Sequence, residues 1–286
     1  MPRVEIVEIV PPLVPDVCAF LERAIRRDIT AAEYSPAFDR RWAEGPAGFA
    51  LVADQRVVGA IATIQAERMV RGRARHVCNL SSWAIAPAFR SYGPALLQRA
   101  IARRDVVYTN FTASAAVVEV LRAFGFSEAP PRERILLPLP VGSRTAARWS
   151  VEIDAIADTL RRRGHAEVAQ LIGDHRATRA KWVLVEHGDR CSVVALHLMH
   201  VRLVPFASVL YCSAPQLFRQ SVRTLQRACW RTWGLHLVAW PEYRFGAVAP
   251  SIALQRPRPV MFRGADIAPD DLDGLYSELT LLPILR

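Results

Sequence analysis

A chain of 286 residues with 37 basic and 27 acidic side chains carries a formal charge of +10, and 51% of its residues are hydrophobic. That apolar fraction supports a sizeable core and excludes a disordered chain, while the length suggests two domains. The positive charge, arginine at every basic position except Lys181, favours an anionic partner: a nucleotide cofactor, an acidic carrier protein, nucleic acid or another acidic polymer.

Near the N-terminus, Glu5, Glu8 and several prolines interrupt the apolar residues, so the stretch lacks the core of a secretion signal. No uncharged apolar run approaches the ~18 residues that a membrane-spanning helix needs. Cys18, Cys78, Cys191, Cys212 and Cys229 are scattered without a Cys-x-x-Cys pair. This odd, dispersed set fits reduced thiols in a cytoplasmic protein better than a disulfide framework or a zinc site.

In chain order, Val4–Val10 alternates apolar and acidic residues as a half-buried strand does. Pro15-Asp16 opens a helix reaching Arg27, and Ser35-Pro36 reads as the cap and first turn of a second helix through Glu44. Phe49–Ala53 and Arg56–Gln65 flank Asp54-Gln55 as a hairpin, the second arm running on to Val70. Arg71-Gly72 turns into a third strand of this series, His76–Ala86. Asp105–Phe111 is a further strand. Ser114 caps a helix that Gly125 ends, and Arg132–Leu139 alternates again as a closing strand.

The stretch Trp83–Ile101 reads as strand, tight basic turn and helix. Pro87 ends the strand, Gly93 is expected to bend the backbone sharply, and Pro94 suits a first helical position. Leu96, Leu97, Ala100 and Ile101 then recur at helical spacing. A helix N-terminus offers free N–H groups and the positive dipole end to an anion, and Arg90 adds a full charge. Arg90–Ala95 is therefore the expected pyrophosphate site.

Two segments carry a family resemblance: Ile85–Ala95 (IAPAFRSYGPA) and Val120–Phe126 (VLRAFGF). With the order strand, two helices, three antiparallel strands, helix, strand, helix, strand, the first half resembles the GNAT superfamily of acyl-CoA-dependent acyltransferases. The first segment matches that family's (Arg/Gln)-x-x-Gly-x-(Gly/Ala) cofactor loop, and the second its helix ending in Gly-Phe. The resemblance implies an α/β fold of the α+β kind, a mixed sheet flanked by helices. It also implies acetyl-CoA or another acyl-CoA as substrate, without a metal, and direct attack on the thioester in a ternary complex. The cofactor contacts it implies are Ile85, Ala86, Arg90, Ser91, Tyr92, Gly93, Ala95 and Ser114; Pro94 contributes no N–H. The family's tyrosine acid falls at Leu121 in this sequence, so Tyr108, Ser81 and the loop residue Tyr92 are the alternative proton donors. Glu67 is the candidate base, and His76 on the following strand is the alternative.

Past Val141 the composition loosens at Gly142-Ser143-Arg144-Thr145, which places a boundary between domains 1–141 and 142–286. Trp149–Arg163 and His165–His175 read as helices, and Lys181–Glu186 with Cys191–Met199 as a second hairpin. Pro205–Cys212 is a strand, Pro215 opens a long helix closed by Gly234, Leu235–Trp240 is a strand, and Asp270–Leu282 a last helix. This repeats the first domain's order and implies a second GNAT-like unit in tandem. It is degenerate, because Cys212-Ser213-Ala214-Pro215 stands where the cofactor loop would be. His197 and His200 lie three apart on a strand and face opposite sides, which argues against a shared metal site. Arg223, Arg227 and Arg231 form a basic stripe at four-residue spacing that reads as a solvated helix face.

The functional expectation is transfer of an acyl group from acyl-CoA to an unknown acceptor, N- or O-linked, on a small amine, a sugar or a protein. The alternative is a catalytically degraded module that binds acyl-CoA or an acyl carrier without turnover. Transfer to or from a tRNA-linked group is a third reading, and it requires salt-sensitive tRNA binding.

Overall fold

The computed structural model describes residues 3–25, 28–138, 147–201, 204–256 and 258–284. In chain order the strands are β1 (Val4–Glu8), β2 (Gly48–Ala53), β3 (Arg56–Val70), β4 (Arg73–Ile85), β5 (Val106–Asn110), β6 (Ser127–Ala129), β7 (Arg132–Leu136), β8 (Arg148–Ser150), β9 (Lys181–His187), β10 (Arg190–Val201), β11 (Val204–Cys212), β12 (Leu237–Pro241), β13 (Ser251–Gln255) and β14 (Val260–Arg263). The helices are α1 (Val14–Ala24), α2 (Ala31–Tyr34), α3 (Gly93–Ala100), α4 (Ala115–Ala123), α5 (Ile153–Arg162), α6 (Ala166–Asp174), α7 (Phe218–Trp233), α8 (Glu242–Phe245) and α9 (Glu278–Leu281). Two compact units result. The first is Met1–Ala129 with Arg258–Asp271 and Tyr276–Ile284, and the second is Pro130–Pro257 with Leu272–Leu275.

The first unit's sheet runs β1-β2-β3-β4-β5-β14-β6 among the described residues. Its hairpins are local products of the sequence. Asp54 and Gln55 both take positive φ (47° and 61°), as do Arg71 and Gly72 (50° and 72°), the backbone twist that two-residue hairpin turns require. Only β4 and β5 are neighbours in parallel, so α3 must cross between them. Side chains alternate across the sheet. Phe49, Ile61, Cys78, Leu80 and Tyr108 pack against α3 and α4, whereas Ala50, Ala60, Ala62 and Ile64 pack against α1, α2 and Leu281.

The second unit's sheet runs β13-β7-β12-β11-β10-β9-β8. It has the same core motif, a hairpin followed by a parallel β11–β12 pair joined by α7, which Gly234 ends with φ 70°. Phe218, Val222 and Leu225 of α7 pack against Val194, Leu196, Ala207 and Trp240.

Several expectations change. Arg132–Leu136 does not close the first sheet; it lies between β12 and β13 in the second, and β14 takes the place beside β5. The compact units divide after Ala129, and the expected boundary at Val141 falls outside the described residues. Ser35-Pro36 starts no helix through Glu44. Thr30 is the cap, in a reciprocal capping box with Glu33, and Ser35–Phe38 is a short 3-10 turn. Trp149 belongs to β8, and the helix follows it. Asp270–Leu282 holds a 3-10 turn at Pro269–Asp271 and the short α9 instead of one long helix.

Candidate functional site

In the first unit, β4 and β5 are hydrogen-bonded from His76↔Val106 to Asn79↔Thr109 and then part. The parting has a local cause. Ser82 and Trp83 together oppose Ile61 of β3, since Ala60 pairs with Ala84 and Ala62 with Ser81, and Ser82 carries φ 49°. Such a bulge bends its strand and ends regular pairing.

Beyond the bulge, Pro87–Tyr92 winds as a 3-10 helix that runs into α3. Arg90, Ser91 and Ala95 are exposed, and Tyr92 retains 40% of its surface. The Arg90 side chain has no hydrogen bond or ion pair among the described residues. Gly93, expected at a sharp bend, has φ −54° and ψ −50°, and its N–H is already donated to the Arg90 carbonyl. Its role is spatial: a Cβ there would meet Ile85 Cδ1 at 3.3 Å. Gly93→Val is expected to cost about 1–3 kcal/mol by overpacking, while Gly93→Ala stays within about 1 kcal/mol because helix propensity offsets the contact. Urea midpoints of the two variants check this difference.

A polar network stands where the two strands separate. Asn79 Nδ2 donates to the Thr109 carbonyl (3.3 Å) and Oγ1 (3.2 Å). Asn110 Nδ2 reaches across to the Leu80 carbonyl at 2.9 Å, and its Oδ1 accepts from the Thr112 N–H. Glu278, at the start of α9, donates its N–H to Asn79 Oδ1 (3.2 Å) and accepts the Thr112 hydroxyl at 2.8 Å. Glu278 is fully buried, and its Oε2 has no hydrogen-bond partner. Burial raises its carboxyl to about 7, opposed by the Thr112 hydrogen bond and main-chain donors.

The expected catalytic residues fall on different faces. Ser81, buried, shares the α1 side of β4 with Asn79, and its hydroxyl lies 3.3 Å from that of Ser82. Tyr108 is packed on the other side with Cys78 and Leu121. It borders a cavity of ≈ 230 Å³ lined by Arg103, Arg104, Ser127, Arg263 and Gly264, and burial pushes its phenol up to about 12. Glu67, exposed, pairs with His76 at the end of β4 where the two strands are still joined. His76 Nε2 lies 2.6 Å from Gln65 Oε1, and burial followed by Arg103 holds its pKa below the usual value. Cys78 is buried and its thiol is pushed far up, unsuited to nucleophilic attack. Ser114 accepts from the Val117 N–H and so serves α4 as its cap. Ile85 and Ala86 are half-buried at the end of β4. Sequence reasoning missed Glu278. Its signal was a lone acid within the run Leu275–Leu282 (LYSELTLL).

The second unit's parallel pair also ends early, at Ser208↔Ala239, but its own chain occupies the next positions. The Leu210 carbonyl accepts from the Gly274 N–H at 3.0 Å and from Arg244 Nη1 at 3.3 Å. Phe218 packs against Trp240 and stacks on Phe245 with centroids 4.4 Å apart. Ser213 is bound by main chain and side chain to Val193. The basic stripe of α7 is partly engaged: Arg223 donates to the Leu137 carbonyl and to Gln226, and Arg231 lies over the Trp230 ring. His197 is buried and His200 exposed, and no cluster of three potential metal ligands occurs among the described residues. No described helix is long and apolar enough to cross a membrane.

No protein-family model matches the sequence, and no curated protein matches it. Solved structures do match. A GCN5-related N-acetyltransferase from Anabaena variabilis aligns with a TM-score of 0.61 at 14% identity, covering 91% of this chain and 72% of its own. A GCN5-related N-acetyltransferase from Kribbella flavida aligns with a TM-score of 0.53 at 15% identity, covering 93% and 72%. At such identities the likeness speaks for architecture alone. The chain has the fold of the GCN5-related N-acetyltransferases, with two such units in tandem.

Proposed function

We propose that the first unit binds acyl-CoA and transfers its acyl group to an acceptor by direct attack on the thioester. The observation that carries this reading is the parting of β4 from β5 at the Ser82 bulge, followed at once by the exposed Arg90 turn into α3. The unpaired edges past Asn79 and Thr109 offer main-chain partners to the amide-bearing pantetheine arm. Arg90, on the 3-10 turn that runs into α3, offers charge to the pyrophosphate. Because Gly93 has committed its N–H, the guanidinium carries more of this contact than a free amide nest would require.

In this reading the second unit takes no acyl-CoA, because Gly274, Arg244 and the Phe218–Trp240–Phe245 cluster fill the equivalent opening. The neighbours named as N-acetyltransferases support transfer to nitrogen.

Arg90→Glu tests the cofactor site with little risk to the fold, since Arg90 is exposed. Removing a charge-assisted contact and adding repulsion is expected to weaken acetyl-CoA binding about 10- to 100-fold. Isothermal titration of the wild-type chain and the variant reads this directly, and equal affinities would refute the assignment. Thiol release from acetyl-CoA over a panel of amines, sugars and alcohols separates a transferase from a binding module: binding without release in any arm favours the module.

A further inference from the structure

We propose that Thr112 and Glu278 form a two-residue proton relay that accepts the proton of an amine acceptor entering as its ammonium, an inference that rests on the transferase reading of the first unit. The acceptor donates to the Thr112 hydroxyl, which in turn donates to the Glu278 carboxylate.

Three observations carry it. First, position: Asn110 ties the Thr112 N–H to a side chain that also spans to the Leu80 carbonyl, which holds Thr112 beside the opening between β4 and β5. Second, connectivity: the Thr112 hydroxyl points its proton at Glu278 Oε1 over 2.8 Å. Thr112 is only half-buried, whereas Glu278 is wholly enclosed, so the hydroxyl is the end that a substrate reaches. Third, cost: a wholly buried carboxylate with an unpartnered Oε2 is unfavourable as a structural device, because the donors to it offset only part of its desolvation. The groups that act on this carboxylate are Asn79, Thr112 and main-chain amides, all uncharged. An ammonium supplies the missing countercharge, which an alcohol does not.

The step balances. The ammonium proton passes to Thr112 Oγ1 as the Thr112 proton passes to Glu278 Oε1, leaving a free amine and a neutral Glu278 acid. The nitrogen forms the C–N bond at the thioester carbonyl, the C–S bond breaks, one of the two protons left on the amine leaves with sulfur as the CoA thiol, and the other stays on the amide nitrogen. Glu278 returns its proton to solvent between turnovers. Thr112 is the group that touches substrate, and Glu278 acts through it.

The test measures acetyl-CoA binding and thiol release with spermidine, glucosamine, a lysine-containing peptide, ethanol and water. It uses the full chain and its Glu278→Gln, Thr112→Val and Thr112→Ser variants, with circular dichroism melts to verify folding. Expected are unchanged acetyl-CoA affinity and amine-dependent release that falls about 100-fold or more in Glu278→Gln and Thr112→Val. Thr112→Ser restores the rate, and the wild-type pH limb near 7 is absent in Glu278→Gln. Wild-type turnover that Glu278→Gln and Thr112→Val both retain, with the same pH profile, overturns the relay alone. Release with ethanol as fast as with the amines overturns the ammonium assignment. Binding of acetyl-CoA with no release in any wild-type arm overturns the relay together with the transferase reading.

Discussion

Glu278→Gln is expected to gain about 3 kcal/mol of stability relative to the wild-type protein between pH 4.5 and 7. The folded carboxyl sits at about 7 against 4.5 for the unfolded chain. Below pH 4.5 both states are protonated, and the neutral buried acid incurs no penalty. As pH rises toward 7, the unfolded chain releases its proton while the folded chain retains it, so the wild-type protein loses stability. Glutamine, which does not titrate, loses none. His197 works in the opposite direction: burial and Arg179 lower it from 6.5 to about 4, so its contribution is present above pH 6.5 and lost as pH falls through 4. The two windows overlap, but Glu278 lies in the first unit and His197 in the second, so each shapes the unfolding of its own unit. Glu278→Gln therefore removes a fall of stability with pH from the first unit, and His197→Gln removes a rise from the second. Urea unfolding of the three proteins from pH 4 to 8 checks this; a constant offset between wild type and Glu278→Gln across that range would exclude the raised carboxyl.

Trp240→Ala is expected to destabilise the second unit by about 3–5 kcal/mol. Trp240 is wholly buried on β12, packs edge-on against Phe218, and donates its indole N–H to the Gly246 carbonyl at 2.9 Å. Truncation leaves a cavity in the middle of the aromatic cluster and an unpaired carbonyl beside it. Trp240→Phe keeps most of the packing and loses the hydrogen bond, for about 1 kcal/mol of the total plus the smaller volume deficit. Near-ultraviolet circular dichroism and denaturant midpoints distinguish the two; equal small losses would show that the cluster is loosely packed.

Much of each unit is readable because its signals act over a few residues. Turn residues at Asp54-Gln55 and Arg71-Gly72 set hairpins whose positive φ values the structure shows. Ser114 and Gly125 bracket α4, and Gly234 ends α7. Other features escape local reading. β14 is four residues long and set among prolines, too short for periodicity to register. Arg132–Leu136 alternates as a strand should, but alternation does not name its partner, and it joined the second sheet. Tyr108 lies on β5 as expected, yet its side chain faces α3 and α4, because the β4–β5 register decides which face each residue takes.

The sequence by itself determined the tandem order of elements and the Arg90 turn after the fourth strand of the first unit, since composition and turn chemistry are properties of neighbouring residues. Only the tertiary structure decided that Gly93 is small for the sake of Ile85, that the Leu210 carbonyl past the second unit's parallel pair is taken by Gly274, and that Glu278 meets Asn79 across 199 residues. The physical reason is common to all three. Steric fit, desolvation and an unmatched hydrogen bond depend on which distant atoms fill the surrounding space, and no spacing along the chain encodes that.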